Sequence, residues 1–154
     1  MKLRKAKMKD VSEIQKIINS FAANGEMLPR ALNELYENIR DFVVIEDKGK
    51  VVACGALHVN WEDLAEVKAF AVAKSHHRQG LGSILLKACV KEAKALGIKK
   101  VFALTYKPAF FKKYGFSEID KMKLPHKIWN ECVKCPKFPD CDEICLIYPK
   151  GAII

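Results

Sequence analysis

The sequence predicts an α/β (α+β) protein built around a mixed sheet, and three observations carry that expectation. Alternating, β-branched segments are interleaved with segments whose apolar residues recur at helical spacing, in the order β-α-α-β-β-β-α-β-α-β. A glycine-rich turn lies between a strong strand and the strongest helix of the chain. The 154 residues, half of them hydrophobic and 29% charged, can bury a core without staples and suit one domain. That single domain is expected over residues 1–154, with a core over about 1–120 and a Cys-rich C-terminal appendix over about 121–154.

Lys2 to Ala6 reads as a short first strand. Asp10 is placed to cap a helix in which Val11, Ile14, Ile17, Ile18 and Phe21 follow at three- and four-residue intervals. Asn24-Gly25 ends that helix, and Leu28-Pro29-Arg30 keeps the pattern broken until Leu32, Leu35, Tyr36 and Ile39 restart it. Phe42 to Glu46 and Lys50 to Val59 are strands joined by Asp47-Lys48-Gly49, which suits a hairpin. Glu62 to Ala73 reads as another strand. Gly80 to Leu96 is a helix with Ile84, Leu85, Ala88, Cys89, Ala93 and Leu96 as its buried face, and Gly97 stops it. Ile98 to Thr105 is an apolar strand, Pro108 opens a short helix through Lys113, and Gly115-Phe116 opens a further strand. Lys123 to Cys145, with three prolines and four of the six cysteines, reads as irregular, and Glu143 to Tyr148 as a final strand.

Composition bounds the function. Lys and Arg number 27 against 18 Asp and Glu, a net charge of +9 that suits an anionic partner such as nucleic acid, an acidic membrane face or a phosphate-bearing cofactor. The charges form no clustered basic tract with interleaved aromatics, which argues against nucleic acid. No apolar run approaches the ~20 residues of a membrane span. Met1 to Ala6 carries no apolar leader, and six cysteines without one suggest reduced thiols or metal ligands, hence a cytoplasmic protein.

The stretch His76-His77-Arg78-Gln79-Gly80-Leu81-Gly82-Ser83 is the most informative. Glycines two residues apart let a backbone approach a ligand closely, and the helix N-terminus behind them favours an anion such as a pyrophosphate. Alone, such a turn equally opens a helix for steric reasons. It is neither the dinucleotide fingerprint, which needs a third glycine, nor a P-loop, which needs Gly-Lys-Ser/Thr.

Two motifs in the right order sharpen the reading. Ala65 to Val72 followed by Gly80 to Leu86 resembles motif A of the GNAT acetyltransferases, and Ala109 to Phe116 resembles the end of that family's motif B. The resemblance runs from about Lys2 to about Asp120. It implies the GNAT fold, a mixed and mostly antiparallel sheet flanked by helices, and an acetyl-CoA-dependent N-acetyltransferase. It also implies that acetyl-CoA lies with its pyrophosphate against His77, Arg78, Gln79, Gly80, Leu81, Gly82 and Ser83. The pantetheine arm would then run beside Phe70, Ala71, Val72 and Phe111, in an opening between the fourth and fifth strands. His77 departs from the Gln or Arg with which the family motif begins.

Acetyl transfer requires the amine to lose a proton, and Glu66 stands where histone-type GNAT enzymes carry their base. On a regular strand Glu66, Lys68, Phe70 and Val72 share one face, so Glu66 serves as base or ammonium ligand, or merely pairs with Lys68. The tyrosine that usually protonates the leaving thiolate is replaced by Phe111. Tyr106 and Tyr114 are the substitutes, with a core role as the alternative for each, and water can also deliver that proton.

Met27-Leu28-Pro29-Arg30, Leu104-Thr105-Tyr106 and Leu124-Pro125 with Cys132-x-x-Cys135-Pro136 resemble the short N-acetylglutamate-synthase-like GNAT proteins, which acetylate glutamate at the entry to arginine synthesis. The partner implied is a small amino-acid substrate whose carboxylates would meet Arg30 and Lys68. Arg30 is alternatively a solvated helix-start residue. Competing readings are a GNAT enzyme acting on a protein N-terminus or polyamine, and a non-catalytic basic binding module. A homodimer is an assembly open to such a chain.

The tail carries Cys132-x2-Cys135-x5-Cys141-x3-Cys145. Cys132, Cys135 and Cys141, with His126 as fourth ligand, could hold zinc, or the thiols are free or redox-active. Cys145 lies in an apolar run and reads as strand core, as Cys54 and Cys89 read as small core hydrophobes.

Overall fold

The computed structural model describes residues 1–125 and 143–153. Among these residues seven strands form one sheet in the order β1-β2-β3-β4-β5-β7-β6: β1 (Lys2–Lys5), β2 (Phe42–Asp47), β3 (Lys50–Trp61), β4 (Leu64–Val72), β5 (Lys100–Thr105), β6 (Ser117–Ile119) and β7 (Ile144–Tyr148). Among the described residues only β4 and β5 pair in parallel. Lys48 and Gly49, at φ 51° and 81°, make the tight β2–β3 turn, since two left-handed residues match the twist of a hairpin. The final strand β7 inserts between β5 and β6.

Helices cover both faces. On one side α1 (Val11–Ala22) and α2 (Leu32–Glu37) bury Val11, Ile14, Ile18, Phe21 and Leu35 against Val44, Cys54, Ala56 and Ala71 of the sheet. On the other, α3 (Leu81–Ala95) and α4 (Pro108–Lys113) pack on Val43, Ile45, Leu57, Ala65 and Val67. A smaller cluster of Leu64, Phe102, Leu124 and Cys145 lies apart from both. Burial desolvates the thiols of Cys54, Cys89 and Cys145 and pushes each up to about 12, so they behave as the core hydrophobes expected.

Three local expectations are corrected. Asp10 precedes α1 but does not cap it with its side chain. Its buried carboxylate accepts from Arg4 Nη1 and Nη2 at 2.8 and 2.9 Å and from the Lys7 N–H at 2.7 Å. The bidentate guanidinium holds that carboxyl well below the usual carboxylate range. The buried row of α3 is Leu81, Leu85, Leu86, Cys89 and Ala93, whereas Ile84 and Leu96 are 42% and 60% exposed. The i+4 row starting at Leu81, one residue after the glycine, fixes which side meets the sheet. Finally α2 stops at Glu37, Ile39 falls in a separate 3-10 turn, and Leu32 and Tyr36 are exposed.

Candidate active site

The site begins where the sheet fails to close. β4 and β5 pair only from Leu64 to Glu66 and from Lys100 to Phe102, and beyond those residues they part. The backbone groups of Val67 to Val72 that would have met β5 therefore face an opening. That opening is a cleft of about 1130 Å³, walled by β4, the end of β5, α4, the first turn of α3 and the loop between α1 and α2.

A bulge shapes β4 along this wall. Between the pairs Cys54–Ala71 and Ala56–Lys68, the single residue Gly55 faces two, Ala69 and Phe70. Ala69 takes φ 57°, the left-handed conformation that absorbs the extra residue. Gly55 is required because a Cβ there would lie 2.6 Å from the Phe70 ring. The bulge overturns the expectation that Glu66, Lys68, Phe70 and Val72 share one face. Phe70 and Val72 join the α3 side with Ala65 and Val67, while Ala69 and Ala71 face α1. Glu66 and Lys68, alternating with Ala65 and Val67, point to the α1–α2 side.

The glycine-turn end of the cleft is held by two histidines. His76 Nε2 lies 2.8 Å from Asp47 Oδ2 and its Nδ1 lies 2.8 Å from Ser75 Oγ, tying the turn to the β2–β3 hairpin. That contact keeps the Asp47 carboxyl below its ordinary range. His77 Nε2–H donates to the Val72 carbonyl at 2.7 Å, and its ring stacks on Phe21 with centroids 5.9 Å apart. Arg78 and Gly80 follow at φ 65° and 75°. The chain then enters α3, whose first hydrogen bond to a carbonyl of the turn runs from Ile84 N to Gly80 O. The N–H groups of Leu81, Gly82 and Ser83 are thus the orphan donors of a 15-residue helix, at its positive dipole end. This donor set, with Arg78 beside it, fits a pyrophosphate. The two motif glycines do different work. Gly80 supplies the left-handed turn, whereas Gly82 is helical and its missing Cβ, 3.3 Å from Phe110, lets α4 pack on α3.

Opposite lies a second group of polar residues. Glu66 is 9% exposed and is the last β4 residue paired with β5. Its cross-strand partner is His58, whose Nδ1 lies 2.7 Å from Asp41 Oδ2. The charge of Glu66 also adds to burial in raising the Cys145 thiol. Arg30 is pinned through its backbone, its N–H donating to Asn19 Oδ1 at 3.2 Å and its carbonyl accepting from Gln15 Nε2 at 3.1 Å. Its Nη1 donates to Glu34 Oε1 at 2.7 Å, while its buried Nε has no hydrogen-bond partner among the described residues.

The cleft brings together Glu66, Tyr106, Tyr114, Arg30, Lys68, Phe70, Ala71, Val72, Phe111 and the turn from His77 to Ser83 except Gln79, which does not line it. Cys132, Cys135, Cys141 and His126 lie outside the described residues. Sequence reasoning missed His76, Lys121 and Met122, which also line the cleft. Asp120 Oδ1 caps the turn carrying Lys121 and Met122 by accepting from Met122 N at 2.9 Å, and an Asp before such a turn was the available signal.

A sheet split beside a bulged strand, with a helix N-terminus at one end and a buried carboxylate at the other, is the arrangement that the resemblance to the GNAT acetyltransferases implies. The chain belongs to the acetyltransferase (GNAT) family, whose profile matches residues 8–116. It is an acetyl-CoA-dependent N-acetyltransferase related to amino-acid acetyltransferases. An uncharacterized N-acetyltransferase of Chlorobaculum tepidum is 37% identical over 145 residues, 94% of each chain. An amino-acid acetyltransferase of Mycobacterium tuberculosis is 32% identical, covering 99% of this chain and 88% of that one. A Mycobacterium tuberculosis protein crystallised with CoA superposes with a TM-score of 0.82 at 29% identity, over 96% of this chain and 98% of that one. N-acetylglutamate synthase of Neisseria gonorrhoeae, crystallised with CoA and N-acetylglutamate, shares the fold with a TM-score of 0.86 at 24% identity, over 95% of this chain and 34% of that one. No helix of the described residues is long and apolar enough to cross a membrane.

Proposed function

We propose that this enzyme acetylates the α-amino group of an amino acid, L-glutamate foremost, in the cytoplasm as a step of arginine biosynthesis. The observation that carries the reading is Arg30. A mostly buried guanidinium lines the acceptor side of the cleft with Nη1 engaged by Glu34 and Nε left without a partner among the described residues. A charge-assisted hydrogen bond is worth about 1.5–3 kcal/mol, and a ligand carboxylate meeting the exposed fifth of this side chain would gain one. Lys68, on the same side, suits the second carboxylate of a dicarboxylic acceptor. The relative named amino-acid acetyltransferase supports the same acceptor class.

In this reading Arg78 and the N–H groups of Leu81 to Ser83 hold the pyrophosphate, and the open edge of β4 from Phe70 to Val72 lines the pantetheine arm. Glu66 accepts the ammonium proton of the acceptor, and a backbone N–H of the open β4 edge donates to the oxygen that gains charge as the amine adds. Phe111 carries no proton, so the departing thiolate takes one from Tyr106, Tyr114 or water. The test is thiol release from acetyl-CoA across the twenty amino acids, a polyamine and a short peptide, with Tyr106→Phe and Tyr114→Phe run alongside. Turnover confined to glutamate or glutamine is the expected result, and turnover on the polyamine or peptide alone overturns it.

A further inference from the structure

We infer that His58 and Asp41 form a relay that carries the proton taken up by Glu66 out to solvent on the α1–α2 side of the sheet. The inference rests on Glu66 as the base of the proposed function, but not on which amine is acetylated. An acceptor ammonium gives up two protons as its nitrogen bonds to the acetyl carbon. One ends on the sulfur when the C–S bond breaks, and the other has to leave the site in every turnover. Glu66 is 9% exposed and lines the cleft, so with both substrates seated the cleft itself offers that proton no water. An exit that bypasses the cleft resets the base while the cleft is still occupied.

His58 is placed for this. It stands directly opposite Glu66 in the antiparallel pairing of β3 with β4, and directly opposed residues share a sheet face with Cβ atoms about 4.5–5.5 Å apart. That separation puts an imidazole within reach of the carboxyl, directly or through one water. On its other flank, His58 Nδ1 lies 2.7 Å from Oδ2 of Asp41, in the 3-10 turn Ile39–Asp41 that follows α2. A carboxylate only accepts hydrogen bonds, so Nδ1 carries the hydrogen and Nε2 is the nitrogen that exchanges a proton. Transfer from the Glu66 carboxyl to Nε2 restores the carboxylate and leaves His58 as an imidazolium held against Asp41. The charged groups that the strand pairing and the turn place around this imidazole are Asp41, Glu66 and, diagonally on β4, Lys68. Neither His58 nor Asp41 lines the cleft, and their side chains are 26% and 25% exposed, so the imidazolium passes its proton to bulk water.

The test is steady-state kinetics of the whole chain with acetyl-CoA and the amine it turns over, L-glutamate in the expected case. His58→Gln, Asp41→Asn and the double variant are compared with Glu66→Gln. His58→Gln is expected to lower kcat by about tenfold to a hundredfold, with KM for both substrates and Kd for CoA near native, because the relay touches neither substrate. Imidazole added to His58→Gln is expected to restore kcat in proportion to its free base, which a lost tether between turn and sheet would not show. Asp41→Asn is expected to lower kcat as well, and the double variant to fall no further than His58→Gln alone, since both serve one path. A loss of kcat matched by changes in KM and Kd and insensitive to imidazole overturns the relay. Loss of the acidic limb in Glu66→Gln with native kcat in His58→Gln overturns the relay alone, whereas a retained limb in Glu66→Gln overturns the base itself and the relay with it.

Discussion

Replacing Gly55 with alanine tests the bulge and the cleft together. The added Cβ would stand 2.6 Å from Phe70 Cε1 and 2.7 Å from Cδ1, where about 3.5–4.0 Å is the ordinary contact, so the ring has to move by about 1 Å. It has two ways to do so. Pressed toward Phe111, whose ring centroid is 6.4 Å away, it overpacks the α3 core. Turned outward, it enters the cleft it lines. The first route costs about 1–3 kcal/mol. At about 2–4 °C per kcal/mol for a chain of this size, that lowers Tm by roughly 2 to 12 °C. The second route spares stability and raises the Kd for CoA instead. Thermal unfolding and CoA titration of Gly55→Ala, read beside Gly55→Ala/Phe70→Leu, separate them. The double variant is expected to be less destabilised than the sum of its parts, since the smaller side chain vacates the contact. An unchanged Tm together with an unchanged Kd would refute the close approach of Phe70 to Gly55.

Three further outcomes are expected. Glu66→Gln lowers kcat and flattens the acidic limb of its pH profile, and a retained limb measured on the variant removes Glu66 as the base. Arg30→Ala raises KM for the acceptor by about tenfold or more while changing KM for acetyl-CoA little, and equal changes in both point to lost folding rather than lost recognition. Asp10→Asn lowers unfolding stability at neutral pH by about 1–3 kcal/mol, because Arg4 loses its bidentate carboxylate. The Asp10 carboxyl is held below its unfolded value of about 3.9, so its contribution is complete above that pH and is lost as the pH falls below it. The difference between native and variant chains, followed by denaturant unfolding, is expected to narrow below about pH 4.

The elements were legible because their signals are local. The helical spacing from Val11 to Phe21, the hairpin turn at Lys48-Gly49 and the proline opening α4 each act within a few residues, and each falls where it was expected. What escaped depends on contacts distant in sequence. Nothing near Ile144 says that β7 slides between β5 and β6, because that position is decided by its pairing with Val101 to Thr105. Ile84 and Leu96 satisfy an apolar period, yet the sheet meets the neighbouring row of α3. At Ala69 no residue type announces a positive φ. The available clue was its partner, since an isolated glycine inside a strand often marks a bulge or a close approach. For the site, motif spacing pointed to the proposed cradle because backbone and helix terminus would build it, whereas the hydrogen bond of His77 to the Val72 carbonyl needed three dimensions.

That hydrogen bond and the bulge explain how one strand could serve the two proposed substrate sites. With strict alternation along β4, the residues after Glu66 and Lys68 would repeat on the same face, and cofactor-side and acceptor-side groups would crowd one wall of the cleft. The extra residue at Ala69 reverses the phase, giving Glu66 and Lys68 to the α1–α2 side and Phe70 and Val72 to the α3 side. His77 then fastens the far end of the same strand to the turn before α3 and, through its stack on Phe21, to α1. The His in place of the family's usual Gln or Arg therefore acts as a brace, which leaves the proposed phosphate contacts to Arg78 and the backbone. A change in the phase of β4 would move the proposed base and the pantetheine wall in opposite senses, which is why the bulge, and Gly55 opposite it, are as much a part of the site as Glu66.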